Sequence, residues 1–249
     1  MTPGGLRGAP YDARMSHDPE SPDPRVEASD ADVPGSAAWW TARQEMATRR
    51  RPRADGLTID RIVEAAILLV DAEGLPTLTV RRLADDLGTG SASLYRHVAS
   101  REELLVLMVD HVLGEVLLPD DDLAPLIRIE RLAGELRRVL LSHERLLPAL
   151  TASPLVGPNA VAGIEVGLTS ALDAGFAPEV AAAAVLALID FVLGTVYFDT
   201  SSAGRSFAGS DVDPGEPLTA TPVADEVFAF GLATFLSGLV HRSGAADTL

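Results

Sequence analysis

The chain has 249 residues, 47% of them apolar, which at roughly 150 residues per domain allows one or two domains with a sizeable core. It carries 20 Arg, no Lys, 36 Asp plus Glu and no Cys, so disulfide scaffolds, thiolate metal sites and thiol catalysis are excluded. The formal charge of −16 argues against a nucleic-acid partner, but it is unevenly placed: 4 Arg stand against 8 acids in residues 1–48, 9 against 7 in residues 49–101, and 7 against 21 in residues 102–249.

Residues 1–48 read as a disordered extension, since Pro, Gly, Ser and Asp recur to about residue 38 without an apolar run. The same composition lacks the basic and then apolar regions of an export signal. Trp39 and Trp40 open a stretch reaching Arg50 with room for a helical turn or two, and the paired rings suit a clasp on the folded body better than a partner site.

Beyond Arg53 the helical signals are strong. Thr58 is placed as an N-cap, with Ile59, Ile62, Val63, Ala66, Leu69 and Val70 on one face and Gly74 as the stop. Thr79 caps a second helix with a Val80, Leu83, Ala84, Leu87 stripe ending at Gly88. A short helix over Ser91–His97 follows, and Ser100-Arg101-Glu102-Glu103 forms a capping box for a longer one with Leu104, Leu105, Met108, Val112 and Val116 inward.

Further helices are predicted over Leu123–His143, Leu146–Ala152, Asn159–Ala174, Pro178–Phe198 and Ala224–His241. Thr200–Val223, rich in Pro and Gly, is a long loop of the mobile or functional kind. No segment alternates with period two, so the fold is expected to be all-α. The apolar run Ala181–Val196 contains Asp190 and falls short of the ~18 residues of a membrane span, which points to a cytoplasmic protein with no membrane partner.

Three helices, two of them short and meeting at Leu87-Gly88-Thr89-Gly90-Ser91, packed on a fourth, are the ingredients of a helix-turn-helix. The second of them leads with small or polar residues (Ser91, Ala92, Ser93), which permits close approach to a major groove. Leu94 and Val98 point back to the core, while Tyr95, Arg96 and His97 offer groups suited to phosphates and bases. Tyr95 also reads as partly core, His97 as packing the end of its helix, and Arg81 with Arg82 as a solvated face.

The run Val80-Arg81-Arg82-Leu83-Ala84-Asp85-Asp86-Leu87-Gly88-Thr89-Gly90-Ser91-Ala92-Ser93-Leu94-Tyr95-Arg96-His97-Val98 resembles the reading head of the tetracycline-repressor (TetR) family of dimeric, ligand-responsive repressors. Ala174-Gly175-Phe176, Phe191-Val192-Leu193-Gly194 and Phe228-Ala229-Phe230-Gly231-Leu232 are similar to the C-terminal domain of its tetracycline-repressor branch, so the likeness covers roughly Leu57 to Val240. It implies base contacts by Arg81, Ser91, Ala92, Ser93 and Arg96, and phosphate contacts by Thr79, Tyr95, His97 and Arg101. It also implies a DNA-binding head over residues 49–101, a ligand-binding and dimerisation domain over 102–249, and as partners a palindromic double-stranded operator, a small-molecule effector and a second copy of the chain. The run Arg49–Arg53 reads equally as an arm along the backbone or minor groove and as a solvated linker.

In the body, the Pro178–Phe198 helix is apolar nearly all round and needs cover. Leu186, Leu193, Gly194, Phe228, Phe230, Phe235 and Leu236 are the candidate dimer contacts. Met108, Val112, Leu147, Leu155, Ile164, Leu168 and Phe191 are candidate pocket residues, and each also reads as plain core. Asp190 has two readings, a ligand contact or a structurally paired or interface charge. Tetracycline repressors hold their drug through a metal on a histidine, whereas Leu117 and its neighbours and Ser153–Gly157 offer none, and His111, His143 and His241 lack ligand spacing. No metal or cofactor is therefore expected.

No hydrolase elbow, zinc-protease motif or P-loop is present, and Gly88-Thr89-Gly90 lacks the third glycine and preceding strand of a dinucleotide site. Asp120-Asp121-Asp122 reads as an exposed linker rather than a calcium loop. An enzyme is not expected. The alternative to a regulator is a helical ligand-binding or scaffold protein that does not touch DNA.

Overall fold

The computed structural model describes residues 30–49, 57–201 and 223–242, and every regular element among them is a helix. The expected Thr200–Val223 loop lies almost wholly outside the described residues, as do residues 1–29 and Arg50–Arg53.

The N-terminal head is built from three helices around one small core. Helix α2 (Ile59–Glu73) starts where Thr58 Oγ1 accepts the Arg61 amide at 3.2 Å, buries Ile62, Val63, Ala66, Ile67, Leu69 and Val70, and stops at Gly74, whose φ of 91° suits only glycine. Helix α3 (Val80–Asp86) is capped by Thr79 in the same way, and Gly88 at φ 63° turns the chain into α4 (Ser91–Leu94). The expected Ser91–His97 helix is shorter: after Leu94 the chain tightens into turns, with the His97 and Val98 amides both on the Leu94 carbonyl.

Helix α5 (Arg101–Leu113) joins head to body. Ser100 Oγ accepts the Glu103 amide at 3.1 Å, and Glu103 Oε2 reaches back to the Ala99 amide at 2.6 Å, one residue earlier than the expected capping box. Met108 and Val112 are completely buried along it.

The body stacks α6 (Pro125–Ser142), α8 (Pro158–Asp173) and α9 (Pro178–Thr200) against one another, with the short α7 (Leu147–Ala152) beneath α5 and α10 (Ala224–Arg242) along α9. Gly167 of α8 faces Val185 of α9 and Leu132 of α6, and a Cβ there would meet both at ordinary contact distances of 3.4 to 3.5 Å. Phe191 stacks on Phe228 with centroids 5.6 Å apart, and Gly231 leaves room for the Phe191 ring. Buried Arg137 of α6 pairs with Asp199 at 2.9 Å and Asp225 at 2.7 Å, tying the end of α9 to the start of α10, and lies over the Phe228 ring.

Two expectations change here. The reading of residues 1–48 as disordered fails from Asp30 onward: Asp30–Asp32 form a 3-10 turn and Ala37–Arg49 is helix α1, where Trp40 is 8% exposed in the common core and Arg43 pairs with buried Glu103. Composition hid this, since few residues make the contact: Trp40 is buried, Trp39 packs against the same core and Gly35 closes on Val106. The apolar segment around Ala181–Val196 belongs to a helix of 23 residues, so length alone does not exclude a span. Its buried residues instead pack on α6 and α8, while Asp190 is exposed.

Candidate nucleic-acid interface and ligand cavity

The residues read as a DNA surface gather on α3, α4 and the turns flanking them. Arg81 is exposed and has no ion pair among the described residues, whereas its neighbour Arg82 lies 2.8 Å from Glu73 and 3.5 Å from Asp86. Ala92 is exposed, Ser91 and Ser93 are half-buried, and Arg96 Nη2 donates to Ser93 Oγ at 2.9 Å, laying its guanidinium along α4. Tyr95 is 55% exposed, so its ring is mostly outside the core that holds Leu94 and Val98. His97 is half-buried beside it.

Thr79 and Arg101 have structural partners as well. Thr79 Oγ1 holds the Arg82 amide. Arg101 donates from Nε to the Leu78 carbonyl and from Nη2 to the Leu75 carbonyl, both at 3.2 Å, which straps the start of α5 to the loop before α3.

Between α6, α8 and α9 lies a cavity of about 910 Å³, its open mouth included. Leu132, Leu136, Ile164, Val185, Leu188 and Val192 line it, together with Leu113 of α5, Val116 just beyond it, and Phe235 and Leu239 of α10. Of the candidate pocket residues, Leu155 and Ile164 line it. Met108, Val112 and Leu147 do not: they are buried core, and the inward stripe of α5 is filled by neighbouring helices rather than by open space. Leu168 and Phe191 pack on that core, and Asp190 faces outward.

The sequence reading missed Asn159, the chain's single Asn, which is the only polar side chain among the described residues of the lining. Its placement depends on Asp110. Asp110 Oδ1 accepts the Asn159 and Ala160 amides at 3.1 Å each, capping α8 from across the fold. Gly157 permits this approach, because a Cβ there would overlap the Asp110 carboxylate. Burial pushes the Asp110 carboxyl above the ordinary aspartate range despite these donors.

Of the candidate dimer contacts, Phe228 and Leu236 are buried within the chain itself, and Leu193 and Phe235 line the cavity. Leu186 at 60% exposed and Phe230 at 76% lie on the open faces of α9 and α10. Among the described residues no three His, Asp or Glu side chains are grouped to hold a metal.

Residues 62–108 match the bacterial regulatory proteins of the tetR family, and residues 118–242 match the tetracyclin repressor-like C-terminal domain. An HTH-type transcriptional regulator of Saccharopolyspora erythraea is 38% identical over 190 residues, 76% of this chain and 78% of that protein. The Streptomyces coelicolor TetR family protein ActR, solved with actinorhodin, is 32% identical with a TM-score of 0.67, covering 77% of this chain and 99% of that one. BioQ, solved with its double-stranded DNA operator, is 28% identical with a TM-score of 0.60, covering 75% and 99%.

Proposed function

The chain belongs to the TetR family of bacterial transcriptional regulators, and from that premise we propose that it is a homodimeric repressor released from a palindromic operator by a small molecule. In this reading Arg81, Ser91, Ala92, Ser93 and Arg96 read bases, while Thr79, Tyr95, His97 and Arg101 face phosphates. The apolar cavity takes the effector, and the protein does no chemistry on it. Its work on DNA makes the cytoplasm its compartment.

One observation carries the reading: α5 starts shortly after His97 and ends at Leu113 on the cavity wall, so one helix of about 20 Å joins both sites. A ligand that shifts α5 re-aims the head. If it binds better to dimers whose heads are misplaced for DNA, it weakens operator binding by the same factor that DNA weakens it. The exposed apolar residues of α9 and α10, Leu186, Tyr197, Phe198 and Phe230, supply a two-fold interface. The acidic body repels phosphate and confines contact to the head.

Selection from random duplexes, with sedimentation of the bound complex, tests this. A palindromic consensus bound by two chains is expected. A sequence-indifferent, unassociated chain would support the helical ligand-binding or scaffold alternative instead.

A further inference from the structure

The cavity's one polar side chain is held in a fixed orientation. Asn159 Nδ2 donates to the Asp110 backbone carbonyl at 2.9 Å and to Asp110 Oδ2 at 3.2 Å, which engages both of its hydrogens. A flipped amide would set Oδ1 against those same two acceptors. Gly114 leaves the room this needs, since a Cβ there would come within 2.8 Å of Nδ2. Asp110 is in turn fixed by the Asn159 and Ala160 amides. Asn159 is exposed at the open side of the cavity, and its Oδ1 meets no donor among the described residues, so it is the one side-chain acceptor that the described lining offers a ligand.

Every other described residue lining the cavity is apolar or glycine. A charged group buried there would have no charged partner to offset its desolvation. A ligand bearing only acceptors that covers the Asn159 amide would take Oδ1 out of water without pairing it. The geometry points to an effector subsite in which Asn159 Oδ1 receives a hydrogen bond from the hydroxyl of an uncharged, otherwise apolar molecule such as a phenol or polycyclic alcohol. This rests on the cavity being the effector site, as proposed above.

The test is fluorescence titration of the full chain with 1-hydroxypyrene, 1-methoxypyrene and pyrene-1-sulfonate. The hydroxyl compound is expected to bind about tenfold more tightly than the methyl ether, with the sulfonate weakest. In Asn159→Ala the preference for hydroxyl over methoxy should fall to within about twofold. If that variant does not fold, the wild-type ratio decides alone. Equal affinities in the wild type, a preference undiminished in folded Asn159→Ala, or tightest binding of the sulfonate each overturn the subsite while leaving the cavity reading intact. Gly163→Trp fills the cavity at a position where a Cβ meets nothing within 4 Å, and should abolish binding of all three. Undiminished binding there, or no binding by the wild type, would instead sink the cavity as the effector site.

Discussion

Nδ1 of His143 lies 2.7 Å from Oδ2 of Asp71, which joins the end of body helix α6 to the last turn of head helix α2. The other ring nitrogen lies 3.2 Å from Glu115 Oε2, beyond the end of α5. Arg145 completes the joint by donating to the carbonyls of Asp71 and Ala72, groups that the end of α2 leaves without helical partners. Head and body are therefore tied at two places, through α5 and through this side-chain cluster. The angle of the head on the body is thereby over-determined.

Removing the second tie should loosen the head without unfolding the body. In the double variant His143→Ala, Arg145→Ala, exchange of the Gly74 amide, which donates to Val70 at 2.7 Å, is expected to rise about tenfold or more. Exchange in α8 and α9 should stay nearly unchanged. Equal acceleration in all helices, or none in α2, would refute a local joint.

Adjacent arginines on α3 should differ sharply. Arg82 is paired with Glu73 and Asp86, while Arg81 is exposed with no ion pair among the described residues. Arg81→Ala is expected to weaken binding to the selected operator by roughly 1–3 kcal/mol and to relax preference at one base pair. Arg82→Ala removes surface pairs of about 0–1 kcal/mol and should leave sequence preference intact. Circular dichroism checks that both fold. A larger loss in Arg82→Ala, measured by fluorescence anisotropy, would reverse the assignment.

Much of this architecture is legible in the sequence because its signals are local. Thr58, Thr79 and Ser100 cap helices where oxygen side chains precede apolar stripes, and Gly74 and Gly88 turn the chain at positive φ. The body helices follow from periodicity and from Pro at their first turns. What periodicity does not reveal is which apolar face meets a neighbour and which meets empty space. Met108 and Ile164 carry the same signal, yet one is core and the other cavity wall. Asn159 escapes for a related reason: its role comes from Asp110, 49 residues earlier, and no local pattern pairs them.

Asp110 also makes a pH dependence. Its carboxyl is raised chiefly by burial, against the opposing pull of the Ala160 and Asn159 amides and the Asn159 side chain. A group raised on folding contributes stability that is fully present below the ordinary aspartate value and is lost as pH climbs through the raised one. Relative to Asp110→Asn, which cannot titrate, the thermal midpoint of the wild type should therefore fall as pH rises from about 4 to about 7. Calorimetry at a series of pH values checks the sign. A wild-type midpoint that instead rises relative to Asp110→Asn over that range would mean that hydrogen bonding to the carboxylate outweighs its desolvation.

The arginine run after α1 is testable only if α1 is kept. Trp40 is 8% exposed, Arg43 pairs with Glu103 and lies 5.0 Å over the Trp39 ring, and Glu103 Oε2 holds the Ala99 amide just beyond the reading helix. Truncating the chain at residue 53 would strip this clasp from the head and lower DNA affinity even if the arginines never touched a phosphate. Trp40→Ala alone should cost about 3–5 kcal/mol of stability. The discriminating change is Arg49, Arg50, Arg51 and Arg53 to Gln with Trp40 and Arg43 intact. If the run lies along the duplex, the slope of log affinity against log salt should shrink by about 0.9 for each phosphate that the arginines cease to neutralise, with the thermal midpoint unmoved. An unaltered slope would make the run a solvated linker, and a fallen midpoint would show that the arginines support α1 instead.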